Sequence, residues 1–200
     1  MGKQRDRDQP AEIVREYGPF PGAPHVNGVS FDGRLVWFAG ACDAGTAFDG
    51  RHLFQIAGDR IHKIDPVTGE ILSTIPAPGG GRDSGLAWGE GALWVGEYRS
   101  RKIHQIDPET GAILRTIESN RFVTGVTWVD GELWHGTWEG DDADIRQVDP
   151  ETGEVLTRLT MPEGTGVSGL ESDHGDLFYA GGGGSGRVRA VRKPGRRSGP

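Results

Sequence analysis

Acidic and aromatic side chains stand out where a repeated pattern of this sequence is interrupted. Asp83, Glu97 and Glu171 are candidate general acids or bases, because a partly desolvated carboxyl group exchanges its proton nearer to neutral pH. Tyr98 and Trp138 interrupt the pattern at equivalent positions, where aromatic rings suit an apolar or amide-bearing ligand. The other candidate ligand-binding residues are polar: His25, Asn27, His52, Arg82 and Thr137.

Metal and thiol chemistry have weaker support in the sequence. No run of His, Cys, Asp or Glu has the spacing of a metal site, so we predict no metal ligands and leave the cofactor unknown. The alternative is a divalent cation on the axis of the fold, held by oxygen and imidazole donors from His25, His52, Asp83, Glu97 and Glu171. Cys42 is the single cysteine, which excludes an internal disulfide, and no histidine stands beside it to activate a nucleophile.

A repeat of 42 residues must position these side chains. Residues 61–72, 103–114 and 145–156 almost superimpose, and each copy contains an Asp-Pro-x-Thr-Gly turn between two β-rich runs. In such a turn Asp accepts backbone N–H bonds, Pro presets φ, and Gly adopts the left-handed conformation. Pro and Gly in every copy exclude a helical repeat. A repeat of this length built from four strands is typical of a propeller blade.

A second pattern precedes the first in each repeat. Ser, Thr or Asn followed by Gly opens a short apolar run at residues 27, 84, 124 and 168, and another run follows across a turn. We expect glycine there because the innermost strands of a propeller crowd around its axis. Four tryptophans fall at equivalent places and are predicted to pack between blades: Trp88, Trp94, Trp128 and Trp134.

These patterns predict an all-β fold, a small β-propeller of four blades, with five as the alternative. The last copy lacks a fourth strand, and residues 12–17 resemble residues 154–159, so the N-terminal strand is expected to complete the last blade and close the ring. A surplus at 41–58 in the first blade could form a lid, or could supply an extra strand at 53–56. The predicted organisation is a flexible N terminus over 1–10, one propeller domain over 11–192 and a flexible basic tail over 193–200.

The connections of such a blade emerge on two faces. The Asp-Pro-x-Thr-Gly turns lie on one face, which we call the turn face. The connections from second to third strand and from blade to blade lie on the other, the long-loop face, where unequal loops are typical of binding sites. We therefore expect the ligand site on the long-loop face, with the first long loop adding His52 to it.

Composition limits the partners of the protein. The net charge is −7 and no stretch of the body is basic, which argues against nucleic acid or an anionic membrane as a partner. No apolar run has the length of a membrane helix and the start is too polar for a signal peptide, so we expect a cytoplasmic protein. The 34 glycines and 12 prolines fit many short strands joined by turns.

Residues 25–190 resemble the propeller-type glutamine cyclotransferases (glutaminyl cyclases) of plants and bacteria. That family opens its first blade with Phe-Thr-Gln-Gly-Leu, where residues 25–29 read His-Val-Asn-Gly-Val. The family's Leu-Thr-Trp and Asn-Val-Trp correspond to residues 96–98, Gly-Glu-Tyr, and 136–138, Gly-Thr-Trp. The resemblance implies a five-bladed propeller whose ligand site has an aromatic wall, here Tyr98 and Trp138, and a polar residue at the position of Asn27. The family's acid in a Glu-Ser-Thr-Gly segment and its lysine in the last blade are missing, since residues 38–41 read Phe-Ala-Gly-Ala and residues 181–184 are glycines.

The sequence leaves three functions open. The first is a small-molecule binder or enzyme, a glutamine cyclotransferase-like transferase or a lyase, and a small-molecule ligand is the partner we favour. The second is a non-catalytic scaffold for a protein partner. The third is a metal-dependent lyase or lactonase, because the general repeat is also similar to that of the metal-dependent, seven-bladed streptogramin lyases.

Overall fold

The chain folds into antiparallel sheets arranged in a ring. In the computed structural model, which describes residues 8–21, 25–26, 28–31, 36–39 and 45–195, no helix occurs in the described part of the chain. It follows that no helix in these ranges could cross a lipid bilayer. Four sheets contain four strands of a blade each, which confirms the predicted all-β propeller with four complete blades.

The strands of the four complete blades follow the predicted repeats. Blade I comprises β5 (Thr46–Phe48), β6 (Leu53–Ala57), β7 (Arg60–Ile64) and β8 (Ile71–Pro76). Blade II comprises β9 (Asp83–Gly89), β10 (Ala92–Glu97), β11 (Lys102–Ile106) and β12 (Ile113–Glu118). Blade III comprises β13 (Val123–Val129), β14 (Glu132–Glu139), β15 (Asp142–Val148) and β16 (Val155–Thr160). Blade IV comprises β17 (Leu170–Ser172), β18 (Leu177–Gly181), β19 (Val188–Arg192) and the N-terminal β2 (Ile13–Tyr17).

A two-stranded partial sheet fills the remaining place in the ring. It contains β3 (Gly28–Phe31) and β4 (Val36–Ala39). The inner strands touch in the order β3, β5, β9, β13, β17, and β17 returns to β3. Four complete blades and one partial sheet therefore surround the axis. The fifth member of the ring, which the sequence left as an alternative, is this partial sheet and not a complete blade. The described part of the 41–58 surplus forms β5 and β6, so the idea that this segment is a lid is corrected, and the strand expected at 53–56 is present as β6.

The N-terminal strand closes the ring, as predicted. β2 pairs antiparallel with β19, with Glu16 opposite Arg189 and Tyr17 opposite Val188. Glu16 Oε2 accepts a charge-assisted hydrogen bond from Arg189 Nε at 2.7 Å. Residues 8–10 of the segment expected to be flexible form β1 (Asp8–Pro10), which pairs in parallel with β16 as a fifth strand of that sheet. The covered edges lack free N–H and C=O groups that could recruit another chain.

Aromatic stacking between neighbouring blades forms the core. Trp88 of blade II stacks on Phe54 of blade I with ring centroids 5.7 Å apart, and Trp94 of blade II stacks on Trp128 of blade III at 5.4 Å. Trp134 of blade III meets Phe178 of blade IV at 4.8 Å. The repeated tryptophans are therefore packing residues between blades, as their spacing predicts.

The repeated turns have the predicted chemistry. In the turn of blade II, Asp107 Oδ1 accepts the backbone N–H groups of Glu109 at 2.9 Å and Thr110 at 2.8 Å, and Gly111 has φ +75°. Asp65 and Asp149 accept equivalent bonds in blades I and III. These turns lie on the turn face with the connections between first and second strands. The longer connections 77–82, 119–122 and 161–169 run between blades on the long-loop face.

Candidate functional site

Two predicted acid–base residues meet at the long-loop end of blade II. Asp83 begins β9, Glu97 ends β10, and the two residues are paired across the ladder at a local register shift. Asp83 is 7% exposed and Glu97 6% exposed. A Cβ atom added to Gly79 would stand 2.8 Å from Asp83 Oδ1 and 2.9 Å from Glu97 Cγ, so both side chains pack closely against the backbone of Gly79.

Glu97 is held as a carboxylate by three neighbours. Ser100 Oγ donates to Oε1 at 2.5 Å, and Arg82 Nη2 lies 3.3 Å from the same oxygen. His104 Nε2 lies 3.3 Å from Oε2. Burial alone would raise the pKa of Glu97, but the hydrogen bonds from Ser100 and His104 and the charge of Arg82 outweigh it and lower that pKa. Glu97 is therefore ionised at neutral pH.

Asp83 has the opposite environment. Its Oδ1 accepts the Gly79 N–H at 2.9 Å, while its buried Oδ2 has no hydrogen-bond partner among the described residues. Burial raises the pKa of Asp83, and the neighbouring charge of Glu97 adds to this against the backbone N–H groups of Gly79 and Gly81. Two adjacent carboxyl groups thus have pKa values displaced in opposite directions, which is a common basis for dividing acid and base roles.

A glycine-rich connection covers the pair. Residues 79–81 are three successive glycines between β8 and β9, and Gly79 cannot carry a side chain because its Cβ would strike Asp83 and Glu97. Arg82 follows them, with Nε donating to Gly79 O at 3.1 Å and a side chain 70% exposed to solvent. A ligand would reach the carboxyl groups by displacing this exposed cation and three residues, 79–81, that carry no side chains.

The predicted aromatic residues lie on different blades. Tyr98 adjoins the acidic pair, since its N–H donates to Arg82 O at 3.2 Å and its ring packs on Phe122 at 4.9 Å. Trp138 lies one blade further on, where its Nε1 donates to Gly140 O at 2.9 Å. Its ring packs against the backbone at residues 166 and 183. Only Tyr98 therefore belongs to the Asp83–Glu97 site.

Thr137 is occupied by an internal ion-pair network. It is fully buried, and its Oγ1 donates to Asp144 Oδ1 at 2.7 Å. Arg146 completes the network with two bonds to the Asp144 carboxylate, at 2.6 and 3.0 Å. Bidentate pairs of this kind fix geometry strongly. Thr137 thus has a partner within its own blade and no path to solvent.

Three other candidates lie away from the pair. His52 lies in the connection between β5 and β6 on the turn face, with Nδ1 3.1 Å from Asp49 Oδ2, so its expected place on the long-loop face was wrong. The connection is short because β5 and β6 are one hairpin rather than parts of a long loop. His25 is exposed beside Gly184, and Asn27 lies outside the described residues, as does Cys42.

Glu171 lies deeper on the axis, in the half of the ring nearer the turn face. It stands two residues after the inner-strand Gly169, whereas Asp83 stands two residues before the inner-strand Gly85. At about 3.3 Å per residue the two levels are roughly 13 Å apart along the strands. Burial raises the pKa of Glu171 to about 7, against hydrogen bonds from Thr127 and Ser172 and the charge of Lys193.

The expected convergence of all these acids and histidines on one axial cation is therefore wrong, and no group of three metal-ligating side chains occurs among the described residues.

His104 is the site residue that the sequence did not indicate. It occupies the same repeat position as His62, and both imidazoles meet a threonine hydroxyl, at 2.8 Å for Thr116 and 2.9 Å for Thr74. This made His104 look like part of the repeat. The distinguishing signal is Glu97, the last residue of the second strand. It pairs with Lys102 across the ladder, and His104 lies two residues further along the third strand on the same face. Since the Glu97 carboxylate accepts, Nε2 of His104 donates, and Nδ1 accepts from Thr116.

Comparisons with known proteins support the propeller. A crystal structure of glutaminyl cyclase from Myxococcus xanthus superimposes with a TM-score of 0.72 at 17% identity, over 94% of this chain and 97% of that one. BamB from Moraxella catarrhalis superimposes with a TM-score of 0.52 at 15% identity, over 76% of this chain and 43% of that one. The WD40 propeller domain of Doa1 gives 0.53 at 17% identity, over 74% and 49%. These likenesses show the fold.

Sequence comparison gives the family. No curated protein matches the chain significantly. Residues 57–198 match the family described as outer membrane protein assembly factor BamB, which spans well over half of the chain. The matched part covers the Asp-Pro-x-Thr-Gly repeats of blades I to III and most of blade IV. The chain therefore belongs to this family of propeller-repeat proteins, the PQQ_2 family described as outer membrane protein assembly factor BamB.

Proposed function

We propose that this propeller binds a small amide-bearing molecule on its long-loop face and performs acid–base chemistry on it with Asp83 and Glu97. One observation carries the proposal: two buried carboxyl groups face each other across one ladder, and their pKa values are displaced in opposite directions. Between those two values the pair holds a single proton, so an acid and a base are present together.

The chemistry needs no group from outside the chain. When an amine or water attacks an amide carbonyl, the nucleophile loses a proton and the departing nitrogen gains one. Glu97 can accept the first proton, and Asp83, whose buried Oδ2 has no described partner, can deliver the second. The products are a new amide or acid and ammonia or an amine, with no change of oxidation state. Activity should fall as pH rises through the raised pKa of Asp83, because the proton-donating form is then lost.

The glutaminyl cyclase of Myxococcus xanthus suggests the substrate class. That name describes an enzyme that cyclises a glutaminyl group. The acid that the family resemblance implies at residues 38–41 is missing here. The Asp83–Glu97 pair, with Tyr98 beside it, would supply the proton transfers from a different blade. A primary amide with a nearby amine is therefore the substrate we propose.

Ammonia release from glutaminyl dipeptides and other primary amides tests this proposal. We expect Glu97→Gln and Asp83→Asn each to lower kcat/KM by about 100-fold or more, as for loss of a general acid or base. Glu109→Gln is the matched control, because Glu109 is exposed on the turn face beside Lys63. Wild-type protein that releases no ammonia from any amide, or folded site variants with unchanged kcat/KM, would contradict the proposal.

A further inference from the structure

A second, separate cavity lies on the axis nearer the turn face. Its volume is about 70 Å³, and Trp88 and Trp128 form part of its wall. The inner strands contribute the residues two places after their axial glycines: Ser30, Ala47, Ala87, Thr127 and Glu171. Four of these five side chains are small and leave the space at the axis empty. Glu171 is the one long side chain at this level of the inner strands. A gap of only about 10 Å³ lies at the ring of glycines, which separates this cavity from the long-loop face.

Glu171 offers this cavity an uncompensated carboxyl oxygen. Oε1 accepts the Thr127 hydroxyl at 2.6 Å and the Ser172 N–H at 2.8 Å. Oε2 has no hydrogen-bond partner, and the carboxyl group no ion-pair partner, within the described ranges of the chain. The residue is partly exposed and lines the cavity. A carboxylate placed like this is costly unless a cation joins it.

The surroundings of Glu171 are otherwise nearly uncharged. The lining side chains from β3, β5, β9 and β13 are serine, alanine, phenylalanine, tryptophan and threonine. His174, in the connection after β17, is the one other titratable group in the lining. The charge of Lys193 lowers the pKa of Glu171, and the Lys193 Nζ itself lies 3.9 Å from Asp130 Oδ2 and 5.3 Å from the Phe178 ring centroid. The described residues thus leave room for one external positive charge.

We propose that this axial cavity binds the ammonium head group of a primary amine, with Glu171 as its counter-ion. The volume admits only a few heavy atoms, which suits a head group and one or two methylene carbons. Glu171 Oε2 and the hydroxyls of Thr127 and Ser30 can accept the ammonium N–H groups, and the two indoles offer an apolar wall for the carbon chain. A divalent cation is disfavoured, because it requires six or more oxygen ligands and this cavity offers one carboxyl group.

Binding of such a cation is linked to pH. Burial raises the pKa of Glu171 to about 7, so the ionised form that pairs with ammonium becomes populated as pH rises through neutrality. The amine itself stays charged over this range. The affinity for an ammonium probe should therefore be about tenfold higher at pH 8 than at pH 6.

Methylammonium chloride is a suitable probe, followed by NMR of the indole N–H resonances of Trp88 and Trp128. We expect a saturable shift that potassium chloride and neutral acetamide at equal concentration do not produce. Binding should weaken at least about tenfold in Glu171→Gln, which removes the charge, and in Ala87→Val, which fills the cavity but leaves Glu171 in place. Glu97→Gln, on the other face, should bind methylammonium as the wild-type protein does, so this test is independent of the amide chemistry.

Each other outcome overturns the proposal. Wild-type affinity in folded Glu171→Gln would show that the carboxylate is not the counter-ion. An equal response to potassium chloride or acetamide would show that the cavity does not select an ammonium group. The absence of a saturable shift in the wild-type protein would show that the cavity does not bind the probe.

Discussion

Replacing Gly125 with alanine should destabilise the protein by more than about 4 kcal/mol, which is a large part of the stability of a typical domain. A Cβ on Gly125 would stand 2.2 Å from Leu170 N and 2.6 Å from Gly169 C of the neighbouring blade. Both are backbone atoms of an inner strand, so they cannot move aside as the end of a flexible side chain could. Relief of the clash would require the blades to separate at the axis.

Urea denaturation followed by tryptophan fluorescence measures this effect. Gly131→Ala is the matched control, since Gly131 lies in a turn of the same blade with φ +76° and open space around its Cβ position. It should cost only about 1–2 kcal/mol, the usual price of a left-handed alanine. A Gly125→Ala protein with the denaturation midpoint of the control would mean that the inner strands lie further apart than described here.

Replacing Glu171 with glutamine should make the protein progressively more stable than wild type as pH rises from 4.5 to 7. The pKa of Glu171 is about 7 in the folded protein and 4.5 in the unfolded chain, so the folded protein binds the proton more tightly. Both states are protonated below pH 4.5, and no penalty exists there. The penalty of ionising Glu171 grows through the interval and is complete above pH 7. Allowing for its partial exposure, we expect about 1–3 kcal/mol.

The comparison must be made between the two proteins, because other groups also make wild-type stability depend on pH. His135 is fully buried, and this desolvation lowers its pKa to about 4, so its contribution to stability rises between about pH 4 and 6.5 and opposes that of Glu171. The difference between Glu171→Gln and wild type cancels the His135 effect. Denaturation at pH 5 and pH 8 should give a larger gain at pH 8. An equal difference at both pH values would mean that Glu171 titrates as an ordinary exposed acid.

Local chemistry made most of the fold predictable. The Asp-Pro-x-Thr-Gly turns depend on residues that are neighbours in the sequence. The inner glycines depend on a position that recurs in every blade. Both patterns can be recognised in a single sequence. The separate partial sheet was harder to recognise, because the glycine that opens blade I, Gly45, follows Ala44 in the sequence, where the other copies have Ser, Thr or Asn. The spacing nevertheless held the signal, since Gly45 precedes Gly85 by 40 residues, as Gly85 precedes Gly125.

The candidate site was predictable in its residues but only partly in its geometry. Asp83 and Glu97 stand at matching ends of adjacent strands, so their pairing follows from the repeat. The opposite directions of their pKa values depend on the path of residues 79–81 and on Ser100, His104 and Arg82, which no spacing specifies. Glu171 does not lie with them, because it stands two residues after Gly169, whereas Asp83 stands two residues before Gly85.

Carboxyl-carbon NMR titration of Asp83 and Glu97 tests the central claim most directly. The account predicts that the pKa of Asp83 lies above that of an ordinary aspartate and that of Glu97 below an ordinary glutamate. It also predicts that Glu97→Gln lowers the pKa of Asp83, because the charge that raises it is gone. Ordinary pKa values for both groups, or an Asp83 unaffected by the substitution, would contradict an acid–base pair at this site.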